Sequence, residues 1–255
     1  WTFLGFLCHV QFNYLDFLPI TWHAAMEQVG IGGTASLRER LVNISQSFVF
    51  KRVHPRHFPQ HAKQTAESLV FKLLVKEIYV ASHGDLFVCE NVVNLEGVSW
   101  DIENDVDEKA WPVLVYEKAK YGSIKTFIEE KSSGLGIELG FSERLELCAQ
   151  IARGIGCMHR AGIIHGDVKP DNVVIFGDSE SGFTAKITDF GYSTVCIDIQ
   201  DGSRLRKEGT LESGIYLTKP STWSHPDRHD ESYSFQEAVL EEVYTFGMTC
   251  FWVLF

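Results

Sequence analysis

The sequence predicts an α+β protein of two lobes, a small β-rich first lobe and a mostly helical second lobe. Two observations support this prediction. In the first half, short apolar runs bounded by turn residues are typical of strands, and they surround one helical stripe from about Ala62 to Ser82. In the second half, longer stretches with helical spacing flank one hairpin pattern, residues 172–188.

The composition is that of an ordinary globular protein. The chain has 255 residues, of which 45% are hydrophobic and 22% charged, enough for a sizeable core. Its net charge of −11 argues against nucleic acid or an anionic membrane as the main partner, so we predict neither. The six cysteines form no CxxC pair and suit the reduced thiols of an intracellular, cytoplasmic protein. The oligomeric state stays open.

Residues 1–18 are rich in Phe and Leu, and they begin with Trp1 rather than Met. Polar residues interrupt the run, which is too broken to span a bilayer and lacks the basic start of a signal peptide. We expect this segment to pack on the first lobe and assign it no role.

The first lobe opens with a strand-like run, residues 20–26, followed by a glycine-rich stretch, residues 29–37. Glycines let a backbone approach phosphate oxygens, although an ordinary hairpin turn is the better interpretation of such a stretch taken alone. A second strand, residues 47–53, carries Lys51. Its ammonium either reaches water from the strand end or has a specific partner.

The helical stripe provides that partner. Glu77 falls inside the apolar stripe, and a carboxylate on a packed face is costly unless it is paired. Lys51 is the available cation, while Glu67 is the alternative acid on a neighbouring face. Two further strands follow, residues 91–98 and 113–116, separated by an acidic loop, residues 101–108.

The second lobe is predicted to begin with helices. Ser123 is a candidate N-cap of a short helix, and Ser142 of a longer one whose apolar positions continue to Met158. The stretch from Glu242 onwards is predicted to form a third helix. It runs apolar to the last residue, so we expect the sequence to be incomplete after it and poorly soluble alone.

Two polar motifs lie between these helices: the stretch His165–Asn172 and the triplet Asp189-Phe190-Gly191. Asp167 can accept the proton of an attacking hydroxyl, while Asn172 and Asp189 can hold divalent cations. The apolar runs after Asn172 and before Asp189 are joined by turn-formers, so they predict a hairpin that brings the two residues together.

These motifs resemble the catalytic loop and metal-binding triplet of the protein kinase family. The resemblance implies a two-lobed kinase fold whose cleft holds ATP and Mg²⁺. It implies that Asp167 is the catalytic base, that Lys169 steadies the γ-phosphate, and that Asn172 and Asp189 bind the metal. Lys51 and Glu77 resemble the ion pair that holds the α- and β-phosphates.

The remaining implied contacts are to the nucleotide. Residues 29–37 resemble the family's phosphate-covering loop and Tyr116-Glu117-Lys118-Ala119 its hinge, with Tyr116 gating the pocket. The hinge implies a first lobe of residues 19–117 and a second lobe of residues 118–255. The residues implied in cofactor binding are Gly30, Gly32, Gly33, Leu37, Val49, Lys51, Glu117, Ala119 and Val174. Lys169 is typical of serine/threonine-type kinases, so the implied acceptor is a Ser or Thr hydroxyl of a protein.

Three departures from the family pattern matter. Gly166 replaces the arginine that forms an ion pair with a phosphate on the activation segment. Phosphate mimics on that segment should therefore leave the rate of phosphate transfer unchanged. The four positions concerned are Thr194, Ser203, Thr210 and Ser213. Lys219-Pro220-Ser221 is the nearest match to the A-P-E triplet, and Glu242 replaces an aspartate. These departures favour an alternative: a pseudokinase or truncated kinase that acts as an ATP-binding or scaffolding module.

Overall fold

The structure is a computed structural model that describes residues 2–18, 27–31, 35–43, 46–53, 63–102, 110–131, 139–196, 215–217, 222–226 and 232–255. The helices are α1 (Phe3–Phe12), α2 (Lys63–Ala81), α3 (Gly84–Phe87), α4 (Ile124–Thr126), α5 (Phe141–Arg160) and α6 (Phe235–Leu254). The strands are β1 (Glu27–Ile31), β2 (Ala35–Asn43), β3 (Gln46–Val53), β4 (Leu95–Ile102), β5 (Ala110–Glu117), β6 (Ile163–Ile164), β7 (Val173–Asp178), β8 (Gly182–Ile187) and β9 (Thr194–Val195). A π-helical turn, Phe127–Lys131, continues α4, and 3₁₀ turns lie at Pro170–Asn172 and Phe190–Tyr192.

The chain forms two compact units, and the predicted α+β class is confirmed. The first unit contains Trp1–Ser82 and Val93–Lys118, and the second contains His83–Val92 and Ala119–Phe255. Residues 83–92, which we assigned to the first lobe, therefore belong to the second unit.

The first unit is built on an antiparallel sheet of five strands in the order β1-β2-β3-β5-β4. Phe50 of β3 and Val113 and Val115 of β5 are buried together against Phe48. These apolar side chains fix the register in which β3 and β5 pair, because a slip by one residue would turn them to the other face.

Helix α2 is buried more completely than its single predicted stripe requires. Phe71 and Val75 are buried as well as Val70, Leu74 and Ile78. The additional cover comes from α1 and β5, because the ring of Phe71 lies 5.7 Å from that of Phe6 and 6.4 Å from that of Trp111. The segment at residues 2–18 therefore packs on the first unit, as expected.

The second unit is organised around α5 and the hairpin of β7 and β8. The helix buries one apolar face, whose members are Leu147, Cys148, Ile151, Ile155 and Met158. The two strands pair antiparallel from Val173 opposite Ile187 to Asp178 opposite Gly182, which confirms the predicted hairpin. The short pair of β6 and β9 precedes and follows the loops that carry the polar motifs.

The predicted bounds of three elements were wrong. Helix α5 begins at Phe141 with Gly140 as its N-cap, not Ser142. The strand predicted at 91–98 is β4 at Leu95–Ile102, so Asp101 and Ile102 belong to a strand and not to a loop. Helix α6 begins at Phe235, where Ser234 and Glu237 form a capping box, and not near Glu242.

Other predictions lie outside the described residues: the strand at 20–26, Gly32 and Gly33, Lys219-Pro220-Ser221, and most of the activation segment. In the part of the chain that the structure describes, no helix has the length and apolarity needed to span a membrane.

Candidate active site

A buried ion pair occupies the first unit. Lys51 on β3 donates from Nζ to Oε1 of Glu77 on α2 at 2.7 Å, and the side chains are 10% and 3% exposed. The hydroxyl of Tyr116 donates to the same carboxylate oxygen at 2.8 Å. Burying two charges is costly unless each is well paired, so the pairing expected from the hydrophobic stripe is present and has a second donor.

The second unit holds a compact polar cluster at Asp167. Its Oδ2 accepts from Nζ of Lys169 at 2.6 Å and from Nδ2 of Asn172 at 2.9 Å. Asn172 also donates to the backbone carbonyl of Asp167 at 2.8 Å, which fixes the loop between the two residues. Within the described residues both side-chain donors bind Oδ2.

His165 links this loop to the strand that leads to Asp189. Its Nδ1 accepts from the backbone N–H of Asp167 at 3.2 Å, and its Nε2 donates to the carbonyl of Thr188 at 2.9 Å. The imidazole is fully buried, and its ring lies edge-on to that of Phe190 at 6.0 Å. One neutral tautomer therefore satisfies both neighbours.

Glu242 of α6 binds the backbone of the loop that carries Asp167. Its two carboxylate oxygens accept from the backbone N–H groups of His165 at 3.2 Å and Gly166 at 2.7 Å. Oε2 also lies 2.7 Å from Nε2 of His159 on α5. Because a charged acceptor makes the stronger kind of hydrogen bond, this buried carboxylate fixes the backbone on which Asp167 stands.

The predicted metal ligands lie at one end of the hairpin. The backbone N–H of Thr188 donates to the carbonyl of Asn172 at 3.0 Å, which brings Asn172 beside the residue before Asp189. Asp189 has left-handed backbone angles, φ 68° and ψ 72°, a conformation that costs about 1–3 kcal/mol outside glycine and is found at functional sites.

The donor set at this end of the hairpin fits a hard cation. The described residues contain no group of three or more His, Cys, Asp and Glu side chains that could hold a metal. A Mg²⁺ ion at Asn172 and Asp189 would therefore complete its oxygen shell with phosphates and water, as is usual for this ion.

The other predicted nucleotide-binding residues are distributed over both units. In the first unit Gly30 on β1 is opposite Leu37 on β2, and Leu37 is opposite Lys51 on β3. Val49 lies on β3, and Glu117 ends β5, where its Oε1 accepts from the backbone of Asn94 at 2.8 Å. Ala119 and Val174 belong to the second unit. Their roles stay predictions.

Comparison with known proteins identifies the family. Residues 23–211, well over half of the chain, match the family model described as the protein kinase domain. The chain belongs to the protein kinase family. This membership carries the kinase fold, and members of the family in general use ATP with a divalent metal.

Similarity to individual kinases is partial. The chain is 29% identical over 141 residues, 55% of its length, to the probable serine/threonine-protein kinase gdt8 of Dictyostelium discoideum. It is 40% identical over 82 residues, 31% of its length, to the receptor-like protein kinase BRI1-like 3 of Arabidopsis thaliana. It is 27% identical over 165 residues, 65% of its length, to a probable serine/threonine-protein kinase of Clostridium acetobutylicum. The matches cover 9%, 7% and 21% of these relatives' own lengths.

Two polar residues of this kinase domain were missed as site supports from the sequence. Glu242 was noted only as a departure from the family, although an acid on an apolar helix signals a buried partner just as Glu77 does. Asn91 donates from Nδ2 to the carbonyl of Ala185 at 3.0 Å, and its own carbonyl accepts from Ile187 at 2.9 Å. It thereby holds the strand that leads to Asp189.

Proposed function

We propose that this chain is an ATP-dependent protein kinase that transfers the γ-phosphate to Ser or Thr hydroxyls of protein substrates. The observation that supports it best is the cluster of Asp167, Lys169 and Asn172, in which one carboxylate is held by a cation and an amide on a rigid loop. A group positioned in this way can orient a hydroxyl and accept its proton.

Each remaining polar residue has a part in this proposal. Asp167 accepts the hydroxyl proton at Oδ1, and Lys169 offers its ammonium to the γ-phosphate. Lys51, held by Glu77, binds the α- and β-phosphates of the same nucleotide. Asn172 and Asp189 hold Mg²⁺, which neutralises phosphate charge when bound.

The specificity for Ser and Thr rests on two observations. Lys169 stands two residues after the catalytic aspartate, a place at which tyrosine-specific loops usually differ. Two of the relatives described above are named as probable serine/threonine-protein kinases. An intracellular location is part of the same proposal, because all six cysteines are free thiols.

The test compares transfer of radiolabelled phosphate from Mg·ATP by the parent and by Asp167→Asn. Asp171→Asn is the matched control, since it makes the same change on the same loop in a half-exposed pair with Lys125 at 3.4 Å. We expect Asp167→Asn to lose a factor of about 10² or more and the control to stay near the parent. Phosphoamino acid analysis should show phosphoserine or phosphothreonine.

Equal incorporation by the parent and Asp167→Asn would contradict the proposal. It would favour the alternative of a nucleotide-binding or scaffolding module. Phosphotyrosine as the main product would contradict only the acceptor specificity.

A further inference from the structure

We propose that the N-terminal segment, residues 2–18, is a positioning element that holds α2 so that Glu77 stays on Lys51. The inference concerns regulation of the site described above and rests on the proposed function. It gives a role to a segment to which the sequence analysis assigned none.

The segment is seated on α2 and β4 by an aromatic cluster. Phe6 and Val10 are fully buried, although α1 lies at the start of the chain. The Phe71 ring of α2 lies 5.7 Å from that of Phe6 and 6.1 Å from that of Phe3. Trp100 of β4 completes the cluster with centroid distances of 5.6 Å to Phe3 and 6.4 Å to Phe6. Aromatic pairs at such distances stabilise beyond the area they bury.

Hydrogen bonds fix the segment at its far end. Oδ1 of Asn13 lies 2.9 Å from the hydroxyl of Ser82, the residue after α2, and shares its one proton with the carbonyl of Ile78 at 2.6 Å. Backbone bonds join Leu18 to the carbonyl of Val98 at 2.9 Å and Val98 to the carbonyl of Asp16 at 3.0 Å. Gly97 makes this approach possible, because a Cβ there would lie 2.6 Å from the Asp16 carbonyl oxygen.

The two contacts with α2 lie on either side of Glu77. Phe71 precedes Glu77 in the helix and Ser82 follows it, so the segment holds α2 both before and after the carboxylate. A helix moves as a rigid rod over such lengths, and a shift at these points would displace Glu77. The bonds from Lys51 and Tyr116 at 2.7 and 2.8 Å tolerate little displacement.

The experiment pairs two substitutions of the same kind on α1. Phe6→Ala removes a fully buried ring, and Phe12→Ala removes one that is 68% exposed. The first readout is the rate at which an amine-reactive reagent labels Lys51, measured by mass spectrometry against the exposed Lys120. An ammonium held by a buried carboxylate is protected, so Glu77→Gln gives the rate expected for a lost pair.

We expect Phe6→Ala to raise Lys51 labelling about fivefold or more, towards the rate in Glu77→Gln, and Phe12→Ala to leave it unchanged. Asn13→Ala, which leaves the aromatic cluster intact, should raise it in the same direction if Phe6→Ala fails to fold. Unchanged labelling of Lys51 in folded Phe6→Ala and Asn13→Ala would overturn the inference.

A double-mutant cycle on Mg·ATP affinity separates positioning from general stability. If the segment acts through Glu77, Asn13→Ala should weaken binding in the parent and have no further effect in Glu77→Gln. Equal effects in both backgrounds would overturn the inference. Absence of phosphate transfer by the parent would overturn the proposed function alone, because the labelling of Lys51 does not depend on catalysis.

Discussion

Gly166 stands where the family has an arginine, and its backbone adopts a positive φ of +81°. A Cβ at this position would lie 2.9 Å from the carbonyl oxygen of Tyr192, which is backbone and cannot turn aside. The backbone N–H of Gly166 donates to the carboxylate of Glu242, so the loop cannot relax without losing that hydrogen bond. Glycine is therefore the residue that this conformation accepts most readily.

We predict that Gly166→Ala lowers the free energy of unfolding by about 1–3 kcal/mol, through the left-handed backbone and the close contact together. Urea denaturation measures the change. Gly247→Ala is the control, because it lies inside α6 with open space around its Cβ and should be neutral or stabilising by up to about 1 kcal/mol. Equal stability of Gly166→Ala and the parent would contradict the strain.

His9 gives the same segment a dependence on pH. Burial on α2 lowers the pKa of His9 below its usual 6.5, and a hydrogen bond with the backbone of Val75 opposes this in part. The unfolded chain therefore binds a proton more readily than the folded chain, so folding stability falls as pH decreases below about 6.5.

We predict that the difference in unfolding free energy between the parent and His9→Gln changes as pH falls from 7.5 to 5. Below about pH 6.5 the unfolding free energy of the parent should fall more steeply than that of His9→Gln. The difference in slope is expected to reach up to about 1.4 kcal/mol per pH unit. Denaturation of both proteins at several pH values measures the difference, which also removes the contribution of the other nine histidines. A difference that is constant with pH would contradict this prediction.

At the scale of elements, a glutamine of α5 completes the edge of β8. Oε1 of Gln150 accepts from the backbone N–H of Ala185 at 2.6 Å, and its Nε2 donates to the carbonyl of Phe183 at 3.1 Å. One side-chain amide thus replaces the two backbone groups of a neighbouring strand. The hairpin that presents Asn172 and Asp189 is held to the scaffold helix in this way.

Gln150→Leu keeps the size of the side chain and removes both bonds. We predict a loss of about 1–3 kcal/mol in unfolding free energy, because the buried N–H of Ala185 and the half-buried carbonyl of Phe183 lose their partners. Leu145→Ala on the exposed side of α5 is the control and should change stability by less than about 0.5 kcal/mol. If both variants unfold at the same denaturant concentration, the bonds from Gln150 contribute nothing measurable.

The sequence predicted elements whose signal is local. The hairpin was predictable because turn-formers separate two apolar runs, and Glu77 because an acid on a packed helix face needs a partner. The strand predicted at 91–98 was misplaced because an apolar run does not determine which neighbouring strand it pairs with. Asn91 bonds to β8, so the run joins the hairpin before the sheet strand begins.

The supports of the site were harder to predict for a physical reason. Glu242 binds backbone N–H groups at His165 and Gly166, and every residue except proline provides such a donor. The start of α5 was equally hidden, because both Gly140 and Ser142 suit an N-cap. The guanidinium of Arg144 donates to the carbonyl of Val253 on α6 at 2.7 Å. No local sequence pattern indicates this tertiary contact.

At the scale of the whole molecule, the residues proposed to bind nucleotide and metal are found in both units. Lys51 and Glu77 belong to the first unit, while Asp167, Asn172 and Asp189 belong to the second. A ligand that binds only the folded chain raises the free energy of unfolding. The increase depends on the ratio of the ligand concentration to its Kd. Nucleotide binding is therefore measurable without any substrate protein.

We predict that a non-hydrolysable ATP analogue with Mg²⁺, at one hundred times its Kd, raises the unfolding free energy by about 2.7 kcal/mol. Chelation of the metal should remove most of this gain, because the phosphate charge then has no counter-ion at Asn172 and Asp189. Asp189→Asn should show a reduced gain with Mg²⁺ present, whereas Asp171→Asn should show the full gain. Each variant is compared with itself, with and without ligand, so its own stability cancels. A full gain in Asp189→Asn would show that this carboxylate does not bind the metal, and no gain in the parent would contradict nucleotide binding itself.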